Sequence, residues 1–285
     1  MHRSMKDSGQ ILMTSLALAL LAACSTEGAK AARRAEPLTF TATALGLAGP
    51  ASARAGYVTL TFANTTDSLM AHGLVRIKDD VSPDSGLRAA RIFHELEPGD
   101  PREAMALFDG FYGGAVFVAP GASKAVGVVL PPGHYVSYAD VVGAGRPRVH
   151  EGFITPIEVR ATAGSAEAPT PDYTIRMVDF DFASPRHVKA GKSRWRVENF
   201  GTAVHLAFLA RILPGHTYEE TQRLITNPEG SPPVEETART LGVHALSQGK
   251  FNDVELDLGP GEYVLVCFIG GHHMMGMVSP LTVTE

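Results

Sequence analysis

Short runs of alternating hydrophobic and polar residues recur along most of the chain. Tyr57 to Phe62 and Ser193 to Val197 alternate in character and carry β-branched or aromatic side chains, which predicts strands with one buried face. His205 to Ile212 is mostly apolar, as in a strand covered on both sides, and Glu262 to Phe268 follows a Pro-Gly turn. Short strands broken by turn signals predict an all-β fold of antiparallel sandwich type. Helical signals sit between the strands. Thr217-Tyr218-Glu219-Glu220 is a capping box that opens a helix over 218–225. Asp100-Pro101 opens another through Phe108, with Pro at its first position, and Pro233 to Leu241 is a third candidate.

The pattern is written twice. Ala55-Gly56-Tyr57 through Asn64, followed by His72 and Arg76-Ile77, parallels Ala190-Gly191-Lys192 through Asn199, followed by His205 and Arg211-Ile212. Leu130-Pro131-Pro132-Gly133-His134-Tyr135-Val136 parallels Leu258-Gly259-Pro260-Gly261-Glu262-Tyr263-Val264, and Gly152 to Val159 parallels Gly276 to Val283. Landmarks in the same order indicate a duplication. Ala161 to Pro171 is rich in small residues and prolines, as a linker is. The expected organisation is one sandwich over 37–160, a linker over 161–171 and a second sandwich over 172–285. The helical inserts fall at matching places in both.

The first residues read as an address. Arg3 and Lys6 precede a largely apolar run from Ile11 to Leu20, and Leu21-Ala22-Ala23-Cys24 follows. That arrangement is similar to a secretory signal ending in the bacterial lipobox. It implies a signal peptide over 1–23, lipid on Cys24, a tether over 24–36 and an extracytoplasmic, membrane-anchored protein. The run is too short to span a bilayer comfortably. Of the two cysteines this leaves Cys267 without a partner for a disulfide. Composition adds one exclusion: 25 basic residues against 30 acidic ones give −5, no basis for holding a nucleic acid backbone.

Chemistry concentrates near the C-terminus. Cys267-Phe268-Ile269-Gly270-Gly271-His272-His273-Met274-Met275-Gly276-Met277 gathers thiol, imidazole and thioether groups on one loop between two predicted strands, and His205 is placed to add an imidazole from another strand. A thiolate with two imidazoles and a weak axial thioether suits copper; zinc gains little from thioether. Cys267-x4-His272-x4-Met277, with the preceding Pro260-Gly261-Glu262-Tyr263 turn, resembles the ligand loop of the cupredoxins, the small blue copper proteins of plastocyanin, pseudoazurin and azurin type. The resemblance implies two tandem cupredoxin-like Greek-key sandwiches. It also implies one copper in the second, with Cys267 as thiolate ligand, His205 and His272 as imidazoles and Met277 as axial ligand. His273 is the alternative imidazole: His272 fits plastocyanin-type spacing and His273 azurin-type. Leu206 stands where the family usually has a bracing asparagine, and the loop is longer than in the shortest members.

The first copy lacks this set. Ala139 aligns with Cys267 and Phe153 with Met277; only His72 keeps its counterpart, and a two-histidine site with His150 is the most it could form. Multicopper oxidases and copper nitrite reductases share the tandem plan, but their further copper sites use His-x-His pairs, and none occurs among the 11 histidines. The expectation is therefore no enzyme, but an electron carrier passing single electrons to a partner protein through an imidazole at the surface. Cu(I) storage or delivery, and a metal-free module of the cell envelope, are the alternatives.

Overall fold

The computed structural model describes residues 36–142, 148–162, 166–227, 231–235 and 241–285. Cys24, the expected signal peptide and the expected tether through residue 35 lie outside them. The described chain is an all-β fold of two sandwiches with short helical inserts. Each half contributes four strands to one shared sheet. Its order is Asp181–Ala183, Tyr173–Val178, Gly191–Asn199, Phe251–Leu258, Ser123–Leu130, Gly56–Asn64, Glu36–Thr43 and Gly46–Ala48. The order reads outward alike from its centre, where Asn252 pairs with Val128 and Asp253 with Gly127. A five-stranded sheet packs on each half: Ser52–Arg54, Arg148–Arg160, Gly133–Val142, Leu69–Ile77 and Phe108–Phe111 in the first, His187–Lys189, Val278–Thr284, Gly261–Val266, His205–Arg211 and Leu241–Leu246 in the second. One apolar core runs through both halves, from Phe40 and Phe62 to Trp195 and Cys267.

Repeated sequence landmarks become repeated devices. The Tyr135 hydroxyl donates to the Pro131 carbonyl and that of Tyr263 to Gly259, locking the Pro-Gly turns. Arg76 and Arg211 donate to the Pro132 and Pro260 carbonyls. Asn64 and Asn199 each send the side-chain amide to two carbonyls, at 2.7–2.8 Å. Each therefore ties two backbone segments together through their carbonyls.

Three expectations change. The sandwiches are not purely antiparallel: the first strand of each half lies parallel to its neighbour, with Phe40 opposite Phe62 and Ile175 opposite Val197. The helix opened by Asp100 spans only Pro101–Met105 before Phe108 begins a strand. The segment from Pro233 to Leu241 does not begin or end as a helix: Val234 bridges Ile212, and Leu241 opens a strand; residues 236–240 lie outside the described residues. Strand partners at both ends outcompete a weak local helical preference. The capping-box helix forms as Tyr218–Thr226, with Thr217 Oγ1 accepting from the Glu220 amide. An unanticipated helix, Pro83–Phe93, is capped by Ser82. Among the described residues no helix is long and apolar enough to cross a membrane.

Candidate metal centre

The strands Gly261–Val266 and Val278–Thr284 are antiparallel neighbours, and the ligand loop joins their ends. Within Ile269–Met275 the loop forms short 3-10 turns broken by a kink at Gly270 (φ 55) and Gly271 (φ 78), which occupy the left-handed region at little cost. The Cys267 amide donates to the Met277 carbonyl and the Met277 amide to the His272 carbonyl, so the loop closes on itself. His205 enters from the next strand. Its pairing with Leu241–Leu246 shifts register between His205 and Ala207, and such a bulge frees a backbone group and re-aims side chains. The freed Leu206 amide points at Cys267 Sγ, 3.4 Å away. A backbone donor thus contacts the sulfur at the residue where the resembling family carries asparagine.

The result is one cluster. His205 Nδ1, His272 Nδ1 and Cys267 Sγ all lie within 4.8 Å of one another, and among the described residues it is the one group of three or more His, Cys, Asp or Glu side chains so placed. The imidazole nitrogens are 3.0 Å apart, and the sulfur is 3.5 Å from His272 and 3.9 Å from His205. His205 and Cys267 are fully buried and His272 is 8% exposed. The imidazole expected at the surface is therefore not there: the loop folds His272 inward. His273 turns away, its ring 5.2 Å from that of Phe268, and Met274 and Met275 are exposed. Met277 is buried in the same core as Cys267. Between the two spacings open in the sequence, the fold brings His272 to the sulfur.

Asp179, which sequence reasoning missed, completes the surroundings. Its Oδ1 faces His205 Nε2 at 3.2 Å and accepts from the Ala203 amide, while Oδ2 accepts from the amide and hydroxyl of Thr202. These donors, the Ala203 amide foremost, hold the carboxyl well below the usual carboxylate range. A carboxylate at Nε2 places the imidazole proton there and leaves the Nδ1 lone pair for the cluster, as in many metal-bound histidines. The signal was present in the repeat. The two-residue turn Asp179-Phe180 occupies the place of Ala44-Leu45 in the first half.

Burial pushes the Cys267 thiol up, opposed by the Leu206 and Ile269 amides, and pushes His272 down, with His205 adding to the effect. Two imidazole nitrogens and a sulfur crowded together away from water fit one cation in their midst. Donor spacings of roughly 3–4 Å are what bonds of about 2.0–2.3 Å to a shared ion require. The donor set fits one copper ion: soft thiolate with two imidazoles.

In the first half the same position is filled. His72 pairs across the sheet with Ala139 and is bonded through Nε2 to Ser137 Oγ at 2.8 Å. Its ring is stacked between Phe40 and Phe62, at 5.0 and 5.1 Å; the corresponding residues of the second half are the smaller Ile175 and Val197. His72 is buried and His150 exposed. Burial first, and then His244, push the His72 pKa down to about 3.

No protein-family model and no curated protein matches the chain. Solved structures do. Auracyanin B is 22% identical, with a TM-score of 0.30 over 41% of this chain and 93% of its own. A multicopper oxidase is 14% identical, with a TM-score of 0.26 over 88% of this chain and 89% of its own. Copper nitrite reductase from Nitrosomonas europaea is 12% identical, with a TM-score of 0.26 over 88% and 95%. These are likenesses of fold and assign no reaction. The expectation that the chain is no enzyme is withdrawn: the structures matched across both halves are named as enzymes.

Proposed function

We propose that the chain is an extracytoplasmic copper protein, tethered through lipid on Cys24, in which residues 172–285 hold a type 1-like centre that transfers single electrons to and from partner proteins. His205, Cys267, His272 and Met277 would hold the ion. The observation that carries this reading is the convergence of two imidazoles and a thiol, from one strand and the loop, inside the core. Copper held there would supply a one-electron Cu(I)/Cu(II) couple. The chain's own contribution is rigidity. Asp179 orients His205, the Leu206 amide faces the sulfur, and the closed loop carries Cys267, His272 and Met277 together. Little has to move when the charge changes. The outward thioethers of Met274 (60% exposed) and Met275 (54%) favour a second reading, in which the loop stores or hands on Cu(I).

Absorption and electron paramagnetic resonance of the copper-reconstituted soluble fragment separate the two. An intense thiolate-to-copper band, lost in Cys267→Ser, is the expected result. A colourless protein that takes up only Cu(I) would favour storage, and failure to retain either ion would refute both.

A further inference from the structure

We propose that Phe180 is the cover of this centre: its ring closes the outer side of His272 and keeps solvent and small anions from the cluster, so that electrons pass without an external ligand binding. This deepens the copper reading and rests on it. The Phe180 ring lies edge-on to both imidazoles, at 86°, with centroids 5.1 Å from His272 and 6.5 Å from His205. Phe180 is 41% exposed, while the rings beneath are at most 8% exposed. The backbone shows what this position costs. Phe180 has φ 64, one of three non-glycine residues with positive φ among the described residues, a conformation disfavoured for a bulky side chain. A two-residue hairpin turn alone would be better served by Gly or Asn. The turn is held by Asp179, whose carboxylate is bonded to Thr202 and Ala203.

The first half provides the control. Its matching turn, Ala44-Leu45, has no carboxylate to hold His72, and Leu45 is 96% exposed and covers nothing. The half with the thiol has both the clamp and the cover; the half without it has neither.

Alkylation of Cys267 by iodoacetamide in the metal-free protein, followed by peptide mass spectrometry that separates Cys24, tests the cover without copper. Phe180→Gly and Phe180→Ala are expected to react at least tenfold faster than the parent, and Phe180→Tyr at the parental rate. Phe180→Gly is also expected to melt no lower than the parent, so that faster reaction reports opening and not unfolding. In copper-loaded protein, azide should perturb the spectrum of Phe180→Gly at concentrations at least tenfold lower. Alkylation rates of the Gly and Ala variants within twofold of the parent, or unchanged azide affinity, would overturn the proposal. A parent that retains no copper sinks the copper reading, and the alkylation rates still decide whether Phe180 covers the cluster.

Discussion

Removing the Asp179 carboxylate is the most informative perturbation of the site, because it leaves all proposed ligands in place. In the structure this group makes one bond to His205 Nε2, at 3.2 Å, and three to the Thr202–Ala203 segment. Its side chain is 36% exposed, so solvent screens part of its charge. The lost charge would act on the imidazole it orients, and partial exposure damps the effect. Asp179→Asn keeps an acceptor and loses the charge, and should weaken Cu(II) binding roughly tenfold. Asp179→Ala also frees the turn and should cost up to ~100-fold, the range seen when groups behind metal-bound histidines are removed. Competition titration against a chelator of known affinity, with thermal melting in parallel, measures both. Copper affinity of the Ala variant within twofold of the parent would refute the clamp.

Three further outcomes are expected. Because burial holds His72 near pKa 3 when folded and at about 6.5 unfolded, the unfolded chain binds its proton first on acidification. The folded state should therefore lose about 2 kcal/mol from this residue between pH 6.5 and 5. Urea midpoints of His72→Gln should fall less over that window, and identical pH slopes would count against it. Arg196 makes a two-pronged bond to the buried Asp253 at 2.8 and 2.9 Å and lies over the Phe251 ring at 4.0 Å. Arg196→Ala strands a buried carboxylate and should destabilise by about 3 kcal/mol in urea unfolding; a loss below about 1 kcal/mol would show that water reaches Asp253. Met277→Leu should keep the thiolate band and raise the reduction potential, since a purely apolar neighbour disfavours the more highly charged Cu(II). An unchanged potential in voltammetry would remove Met277 from the ligand set.

Much of the fold was legible because its signals are local. Alternation marked the strands around Tyr57 and Ser193, an apolar run the one at His205, a Pro-Gly turn the one at Glu262, and the capping box the helix opened by Thr217. The Pro83–Phe93 helix was missed although Ser82-Pro83 offered a cap and a first-turn proline. The expected Pro233–Leu241 helix yielded to strand pairing at both its ends. The expected surface imidazole turned out buried, because the glycine pair at 270–271 folds the loop back over the end of the sandwich.

By itself, the sequence determined the duplication, the two-sandwich class and the chemical kinds of ligand, since each is carried by spacing within a few residues or by repetition of whole segments. Tertiary structure alone brought His272 and not His273 to the sulfur, turned the Leu206 amide toward it, and placed Asp179 and Phe180 beside the cluster. The contacts of Asp179, Phe180 and Leu206 with His205, Cys267 and His272 reach from 25 to 92 positions along the chain. Side chains that far apart meet only once strand pairing and the bulge at His205 have set their directions.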